Sequence, residues 1–296
     1  MTSEAGTWKG RRACLLGNGS LNAVILPGGG HIASLALADG PAAGLNPLWE
    51  VPWPSMDPEA FVPERDLAAY GGEPEGRLLA SIMGHNLCLD FFGPPDAAER
   101  AAGLTVHGEA PVATWAVEAG PAGAAVTLET RLAHARLHVR RTYALAPRDA
   151  VLKVETSVVN AGEALREIGW QEHATFGPPF LEGGVTVFDL PASWATSHPA
   201  PFARRHRLRI GPKTEFAWPL APGADGRPVD LRLFPSDEPS GDFTAQLMDP
   251  GLTWAWATAV HPGRGLLAGY AWRRADFPWV GNWEEHRDRE SAPWGG

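Results

Sequence analysis

Residues 150–159 of this 296-residue chain read Ala150-Val151-Leu152-Lys153-Val154-Glu155-Thr156-Ser157-Val158-Val159. Apolar or β-branched residues alternate with polar ones, and alternate residues of an extended chain point to the same side. The residues that share one face are Leu152, Val154, Thr156 and Val158. This pattern predicts a half-buried strand of an antiparallel sheet.

Similar short runs follow one another along the chain, separated by many of its 34 glycines and 28 prolines. They occupy residues 21–26, 31–37, 124–132, 137–145, 165–172, 185–190, 229–234, 252–260, 266–272 and 279–284. Their spacing predicts a large all-β sandwich. No composition shift marks a linker, so we expect a single domain over residues 1–296.

One segment, residues 57–70, has the signals of a helix. Asp57 offers a cap, Pro58 suits the first turn, and Gly71 follows as a stop. Because Pro63 interrupts the segment, the predicted helix is short and peripheral.

Composition narrows the class of partner. The net charge of −9 disfavours nucleic acid or an anionic membrane and favours a neutral polar ligand.

Cys14 and Cys88 are the only cysteines, and they are typical of buried thiols in a reducing compartment. The chain starts with neither a basic segment nor an apolar run, and no stretch approaches the ~20 apolar residues that span a bilayer. We therefore expect a cytoplasmic protein.

Three short segments carry groups that move protons near neutral pH. His107 precedes Gly108, His173 lies in the stretch 170–177, and the stretch 282–286 reads Asn-Trp-Glu-Glu-His. Two imidazoles and a carboxylate suit the opening and closing of a sugar ring, in which one group deprotonates the anomeric hydroxyl and another protonates the ring oxygen. Several of the 13 tryptophans, Trp170 and Trp283 among them, could supply apolar faces on which a sugar ring stacks, whereas most of the thirteen are expected to pack in the core.

The order of these segments resembles the galactose mutarotase-like superfamily, which includes aldose 1-epimerases and hexose-6-phosphate epimerases. Val106-His107-Gly108 is similar to the His-Gly pair of that family. The stretch 171–176, Gln-Glu-His-Ala-Thr-Phe, resembles its Asn-His-x-x-Phe segment, and Trp283-Glu284-Glu285-His286 loosely resembles its Leu-Glu-x-Gln segment.

The resemblance implies a single-domain β-supersandwich of mostly antiparallel strands with a concave ligand-binding face. It also implies an enzyme that interconverts sugar anomers without a cofactor or metal. His173 would be the general acid at the ring oxygen, Glu284 the general base at the anomeric hydroxyl, and His107 a residue that orients the sugar. Glu285 competes with Glu284 for the role of base, because successive strand residues face opposite ways.

One departure from the family pattern concerns substrate binding. The Gly-Arg-x-x-Asn-Arg segment of many aldose epimerases is replaced here by residues 84–90, Gly-His-Asn-Leu-Cys-Leu-Asp. The missing arginine weakens the case for a phosphosugar. The residues that we expect to contact the sugar are His85, Asn86, Asp90, Gln171, Trp283 and Glu285.

Two alternatives remain from other classes of protein. The first is a carbohydrate-binding protein of the same fold that lacks catalysis. The second is a metal-dependent cupin-like enzyme, in which His85, His107, Glu109 and His173 would supply ligands. The His-x-His spacing typical of such a metal site is absent.

Overall fold

The computed structural model describes residues 2–119, 124–200, 208–235 and 238–295. Its strands are β1 (Thr2–Trp8), β2 (Arg11–Gly17), β3 (Leu21–Leu26), β4 (His31–Leu37), β5 (His85–Asp90), β6 (Ala116–Ala119), β7 (Ala125–Leu132), β8 (Leu137–Leu145), β9 (Leu152–Asn160), β10 (Gly169–Ala174), β11 (Val187–Asp189), β12 (Ala192–Ser197), β13 (Glu215–Phe216), β14 (Leu220–Pro222), β15 (Pro228–Asp230), β16 (Ser240–Met248), β17 (Trp254–His261), β18 (Leu266–Arg273) and β19 (Trp279–His286). The helices are α1 (Pro63–Asp66), α2 (Gly76–Leu79) and α3 (Ala97–Ala101), with 3-10 turns at Pro58–Ala60, Leu67–Tyr70, Ala110–Val112 and Pro262–Arg264.

The prediction of an all-β fold is confirmed, and the paired strands of the described residues run antiparallel. The chain forms two compact units, one that runs to Pro178 and one that spans Pro179–Gly295. The single-domain organisation predicted over residues 1–296 stays a prediction.

The first unit is a sandwich of two sheets. One sheet has the order β1-β2-β3-β4-β5-β10 and the other has the order β6-β7-β8-β9. Ile25 and Leu87 from the first sheet and Leu128 and Val139 from the second are fully buried in one apolar cluster. Each such side chain contributes roughly 1.5–3 kcal/mol when it leaves water, so this shared core holds the two sheets together.

The strand predicted from residues 150–159 is β9, at the edge of the four-stranded sheet. Leu152, Thr156 and Val158 are half-buried as expected, whereas Val154 remains exposed. An edge strand has a neighbour on one side only, so part of its apolar face stays in contact with water.

The helix predicted over residues 57–70 is a 3-10 turn, one turn of α1 and a second 3-10 turn, so its short length is confirmed. Asp57 does not cap it with a side-chain hydrogen bond. Its carboxylate instead accepts a hydrogen bond from Nε of the buried Arg11, at 3.1 Å. A buried guanidinium needs an anionic partner, and Arg11 takes Asp57 for that purpose.

The second unit contains three small sheets. Their strand orders are β13-β12-β16-β19, β11-β17-β18 and β14-β15. In β16 the polar residues Asp242, Thr244 and Gln246 are buried, whereas the apolar residues between them are only half-buried. Across the described residues, no helix has the length and apolar character needed to cross a membrane.

Candidate functional site

The strand pair β5 and β10 sorts its side chains onto two faces. His173 lies opposite Asn86 and Gln171 lies opposite Cys88, so these four residues share one face. The other face belongs to the core of the first unit, because Leu87 is fully buried there. The face that carries His173 is therefore the one available for a candidate site.

His107 reaches this face from a tight turn. Both His107 (φ 69°) and Gly108 (φ 81°) have left-handed backbone conformations. A Cβ on Gly108 would lie 2.1 Å from the carbonyl oxygen of Leu89, so only glycine fits beside β5. A left-handed histidine is uncommon, and such conformations persist where the surrounding structure enforces them.

Two hydrogen bonds between His107 and Gly93 hold the turn. The amide of His107 donates to the Gly93 carbonyl oxygen, and the amide of Gly93 donates to His107 Nδ1, each at 3.0 Å. A backbone amide can only donate, so His107 Nδ1 is unprotonated and the ring proton lies on Nε2. The ring can then offer Nε2–H to an oxygen of a ligand.

Three aromatic rings meet at this face. His107 stacks on Phe92 with 4.4 Å between ring centroids, and the His107 and His173 centroids are 5.1 Å apart. Phe92 is 41% exposed and lies 5.9 Å from His173. We call Phe92, His107 and His173 the histidine cluster. The structure thus brings together the two histidines that the sequence singled out.

The electrostatic surroundings keep His173 neutral at pH 7. Burial, together with a smaller effect of the nearby His85, lowers the pKa of His173 to about 4. Asn86 lies 3.3 Å away, measured from its Nδ2 to His173 Nδ1. An imidazole with this pKa is a strong acid when protonated, but few molecules carry the proton near neutrality.

On the core side of the same strands lies a buried ion-pair network. Arg141 donates to both carboxylate oxygens of Glu172, at 2.9 and 2.7 Å, and His85 Nε2 lies 2.8 Å from Glu172 Oε2. Burial opposes ionisation of Glu172, but Arg141 and His85 outweigh it and hold the pKa of Glu172 well below its usual range. His85 is only 4% exposed. Its contact with Glu172 favours a structural role over the predicted contact with sugar.

Asp90 and Gln171 have different surroundings. Asp90 accepts a hydrogen bond from the Gly169 amide at 3.1 Å and forms an ion pair with Arg166. Asp90 and Arg166 line a small cavity of about 130 Å³. Gln171 Oε1 is buried and accepts no hydrogen bond from the described residues. The contact of Asp90 and Gln171 with a sugar stays a prediction.

In the second unit, Glu284 belongs to a buried cluster of charges. Glu284 on β19 lies opposite Asp242 on β16, and Arg209 binds both carboxylates. The net pKa of Glu284 is raised to about 7, because burial, aided by Asp242, outweighs the opposing effects of Arg209 and the Asn282 amide. A carboxyl group with a pKa near neutrality can exchange protons with a substrate.

Glu285 and Trp283 point to the opposite face of β19 from Glu284. Glu285 Oε1 accepts hydrogen bonds from the backbone amides of Asp288 and Arg289, at 2.7 and 3.1 Å. The Arg289 guanidinium lies 5.1 Å from the Trp283 ring centroid. These contacts give Glu285 the role of a turn cap, which favours Glu284 in the choice between the two carboxylates.

The metal hypothesis receives no support from the described part of the chain, where no group of three or more His, Cys, Asp or Glu side chains could hold a metal ion. Glu109, one of the expected ligands, accepts hydrogen bonds from the backbone amides of His134 and Ala135, at 3.1 and 2.7 Å. His85 is engaged by Glu172.

Sequence reasoning missed several residues that contact or neighbour the predicted site residues within each unit. They are Phe92, Arg141, Arg166, Arg209, Asp242 and Asn282. Arg141 had a visible signal, since it is the one charged residue on the otherwise apolar face of β8. The remaining residues lacked such a signal, because their importance depends on contacts between distant segments.

Comparison with known proteins places the fold. The sequence matches no protein-family model and no curated protein. A galactose mutarotase related enzyme from Lactobacillus acidophilus has a similar structure, with a TM-score of 0.59 and 16% identity over 93% of this chain and 81% of that chain. A protein from Escherichia coli K12, assigned provisionally as an aldose 1-epimerase, matches with a TM-score of 0.44 and 15% identity over 82% and 75% of the two chains.

The first of these likenesses confirms the fold that the resemblance predicted. The chain has a galactose mutarotase-like fold, an all-β sandwich. Fold alone does not define an activity, which depends on the residues described above.

Proposed function

We propose that this protein binds an aldose and interconverts its anomers through ring opening. The observation that carries the proposal is the pairing of His107 and His173, with 5.1 Å between ring centroids on one face of the first unit. Neutral imidazoles beside an exposed phenyl ring suit a ligand that presents both C–H faces and hydroxyl oxygens. The likeness of the fold to that of a galactose mutarotase related enzyme supports the same class of substrate.

In the proposed reaction, His173 donates a proton to the ring oxygen and Glu284 removes the proton from the anomeric hydroxyl. The C1–O5 bond breaks, the aldehyde rotates, and the reverse steps close the ring on the other face. His107 orients the sugar through its Nε2–H. The raised pKa of Glu284, about 7, supports its role, because a base with a pKa near the working pH is the most effective.

One observation favours the alternative of a carbohydrate-binding protein without catalysis. The pKa of His173, about 4, leaves few molecules with a protonated imidazole at pH 7. A neutral ring would still donate a hydrogen bond to a sugar oxygen, so binding does not need the acid form.

The test is to measure anomer interconversion for a panel of aldoses by saturation-transfer NMR, with binding measured separately by calorimetry. Three samples are compared: the wild-type protein, the wild-type protein treated with a metal chelator, and the His173→Asn variant. The proposal expects interconversion that the chelator leaves unchanged and that His173→Asn removes. Binding without interconversion would support the alternative, and loss of activity with the chelator would favour a metal enzyme.

A further inference from the structure

Asn86 is the direct cross-strand neighbour of His173. It is completely buried, and its Nδ2 lies 3.3 Å from His173 Nδ1. An amide nitrogen donates hydrogen bonds and accepts none, so this contact requires Nδ1 of the ring to be unprotonated. The proton of the neutral His173 ring is then on Nε2.

The contact with Cys88 determines the orientation of the Asn86 side-chain amide. The Cys88 Sγ is 3.6 Å from Asn86 Oδ1. Burial holds the pKa of the Cys88 thiol well above its usual range, so the group remains an S–H donor. A thiol donor faces the amide oxygen, and the NH₂ group of Asn86 is therefore directed at His173.

The two rings of the histidine cluster are thus held in the same tautomer by different partners. The Gly93 backbone amide donates to His107 Nδ1, and the Asn86 side chain donates to His173 Nδ1. Only the second partner can be changed by substitution of a side chain. Substitution of Asn86 is therefore the way to test what fixes the tautomer of His173.

We propose that Asn86 is a positioning residue that holds His173 in the Nε2–H tautomer and fixes the direction in which its ring presents that proton. The catalytic consequence rests on the proposed function, but the tautomer itself does not. Among the described residues of the first unit, His107 from the turn and His85 from β5 are ionisable groups close to the His173 ring. Asn86 acts through His173 and has no chemical step of its own.

The first test is ¹⁵N NMR of the histidine rings in the free protein, followed over a pH range. Wild-type His173 should show a protonated Nε2 and an unprotonated Nδ1. In Asn86→Asp, the new carboxylate should accept a hydrogen bond from Nδ1–H, which reverses the tautomer and raises the pH at which His173 titrates by about 1 to 3 pH units. Asn22→Asp, at an exposed position on β3, adds the same charge elsewhere and should leave His173 unchanged.

The second test is kinetic. Asn86→Leu keeps the bulk of the side chain without the donor, and it should lower kcat for anomer interconversion roughly 10- to 100-fold with a smaller change in KM, the scale found for partners that orient a histidine. If Asn86→Asp does not fold, Cys88→Ala is measured instead, since it frees the amide to reverse and should populate both tautomers. An unchanged tautomer and titration in the folded variants overturns the proposal.

The positioning role of Asn86 and the proposed enzymatic activity can be disproved independently of each other. If the wild-type protein interconverts no aldose but its His173 tautomer responds to Asn86→Asp as expected, the positioning role stands and the proposed activity falls. If the activity is present and neither variant alters the tautomer or kcat, the positioning role falls and the activity stands.

Discussion

His85 and Glu172 are joined across β5 and β10, with 2.8 Å between His85 Nε2 and Glu172 Oε2. His85 lies in the segment 84–90, where the sequence departs from the mutarotase-like pattern, and Glu172 lies in the stretch 171–176, which resembles that pattern. The segment that departs from the pattern therefore contacts the segment that matches it. Arg141 completes the group by binding both oxygens of Glu172, so the negative charge is compensated inside the sandwich.

The buried pair predicts a difference between two adjacent arginines of β8. Arg141→Met leaves Glu172 without its main counter-ion and should lower the free energy of unfolding by about 3 kcal/mol, the scale for breaking a buried ion pair. Arg140→Met removes an exposed ion pair with Glu118 and should cost less than about 1 kcal/mol. Urea unfolding of both variants measures this, and equal costs would contradict a structural role for the network.

Much of the β architecture could be predicted because alternation and turn residues are local signals. The predicted bounds of β3, β4 and β8 agree with the structure, and β3 and β4 lie between turns rich in glycine or other turn-forming residues. The run at 229–234 was less accurate, since only Pro228–Asp230 is a strand there. Short strands of two or three residues carry too little pattern to fix their ends.

β16 shows why other strands were missed. Its apolar residues Phe243, Ala245 and Leu247 are half-buried, whereas Asp242 and the other polar residues between them are buried. Sequence reasoning assumes that the apolar face is the buried one. That assumption fails where a sheet buries polar groups. Burial of a polar group costs desolvation energy, so it is tolerated only where the group finds a partner, as Asp242 does with Arg209.

The candidate site was predictable only in part. His107 and His173 were singled out through their resemblance to family motifs, and the structure brings their rings together. Sequence alone did not show that Glu172, which faces away from His173, is held by Arg141 from β8. Long-range partners of this kind depend on sheet register, which a single sequence does not specify.

The proposed acid and base predict large losses of activity. His173→Asn and Glu284→Gln should each lower anomer interconversion by a factor on the order of 100 or more, since acid and base groups contribute on that scale. Both variants should retain the wild-type circular dichroism spectrum. Glu285→Gln is the matched control, because Glu285 caps a turn on the other face of β19. If Glu285→Gln lowered the rate of anomer interconversion more than Glu284→Gln did, Glu285 would be the base and Glu284 would not.

The pH dependence of the rate follows from the two groups. Because burial sets the pKa of His173 at about 4 and that of Glu284 at about 7, the pair carries one proton between these values. The reaction needs that one proton, so kcat/KM should form a bell with limbs near pH 4 and pH 7. Steady-state rates from pH 3 to 9 measure it. A rate that keeps rising above pH 8 would exclude this pair.

Glu284 also predicts a pH-dependent stability. Its folded pKa of about 7 lies above the value of 4.5 expected when exposed, so between pH 4.5 and 7 the folded chain holds a proton that the unfolded chain has released. Stability contributed by this group therefore falls as pH rises through that window. The advantage of Glu284→Gln over wild type should grow by on the order of 3 kcal/mol from pH 4.5 to 7. The opposing effect of His173 is common to both proteins and cancels in the difference, which urea titrations at both pH values would measure.

Gly108 provides a test of the turn that carries His107. Gly108 and Gly103 have the same φ of 81°, but a Cβ on Gly108 would meet the Leu89 carbonyl at 2.1 Å, whereas one on Gly103 would meet nothing within 4 Å. Gly103→Ala should cost only the left-handed strain of about 1–2 kcal/mol. Gly108→Ala adds a backbone clash, so it should cost more and displace the His107 ring from His173. Thermal unfolding together with the ring chemical shifts of His107 measures both effects, and equal costs for the two variants would show that β5 does not confine the turn.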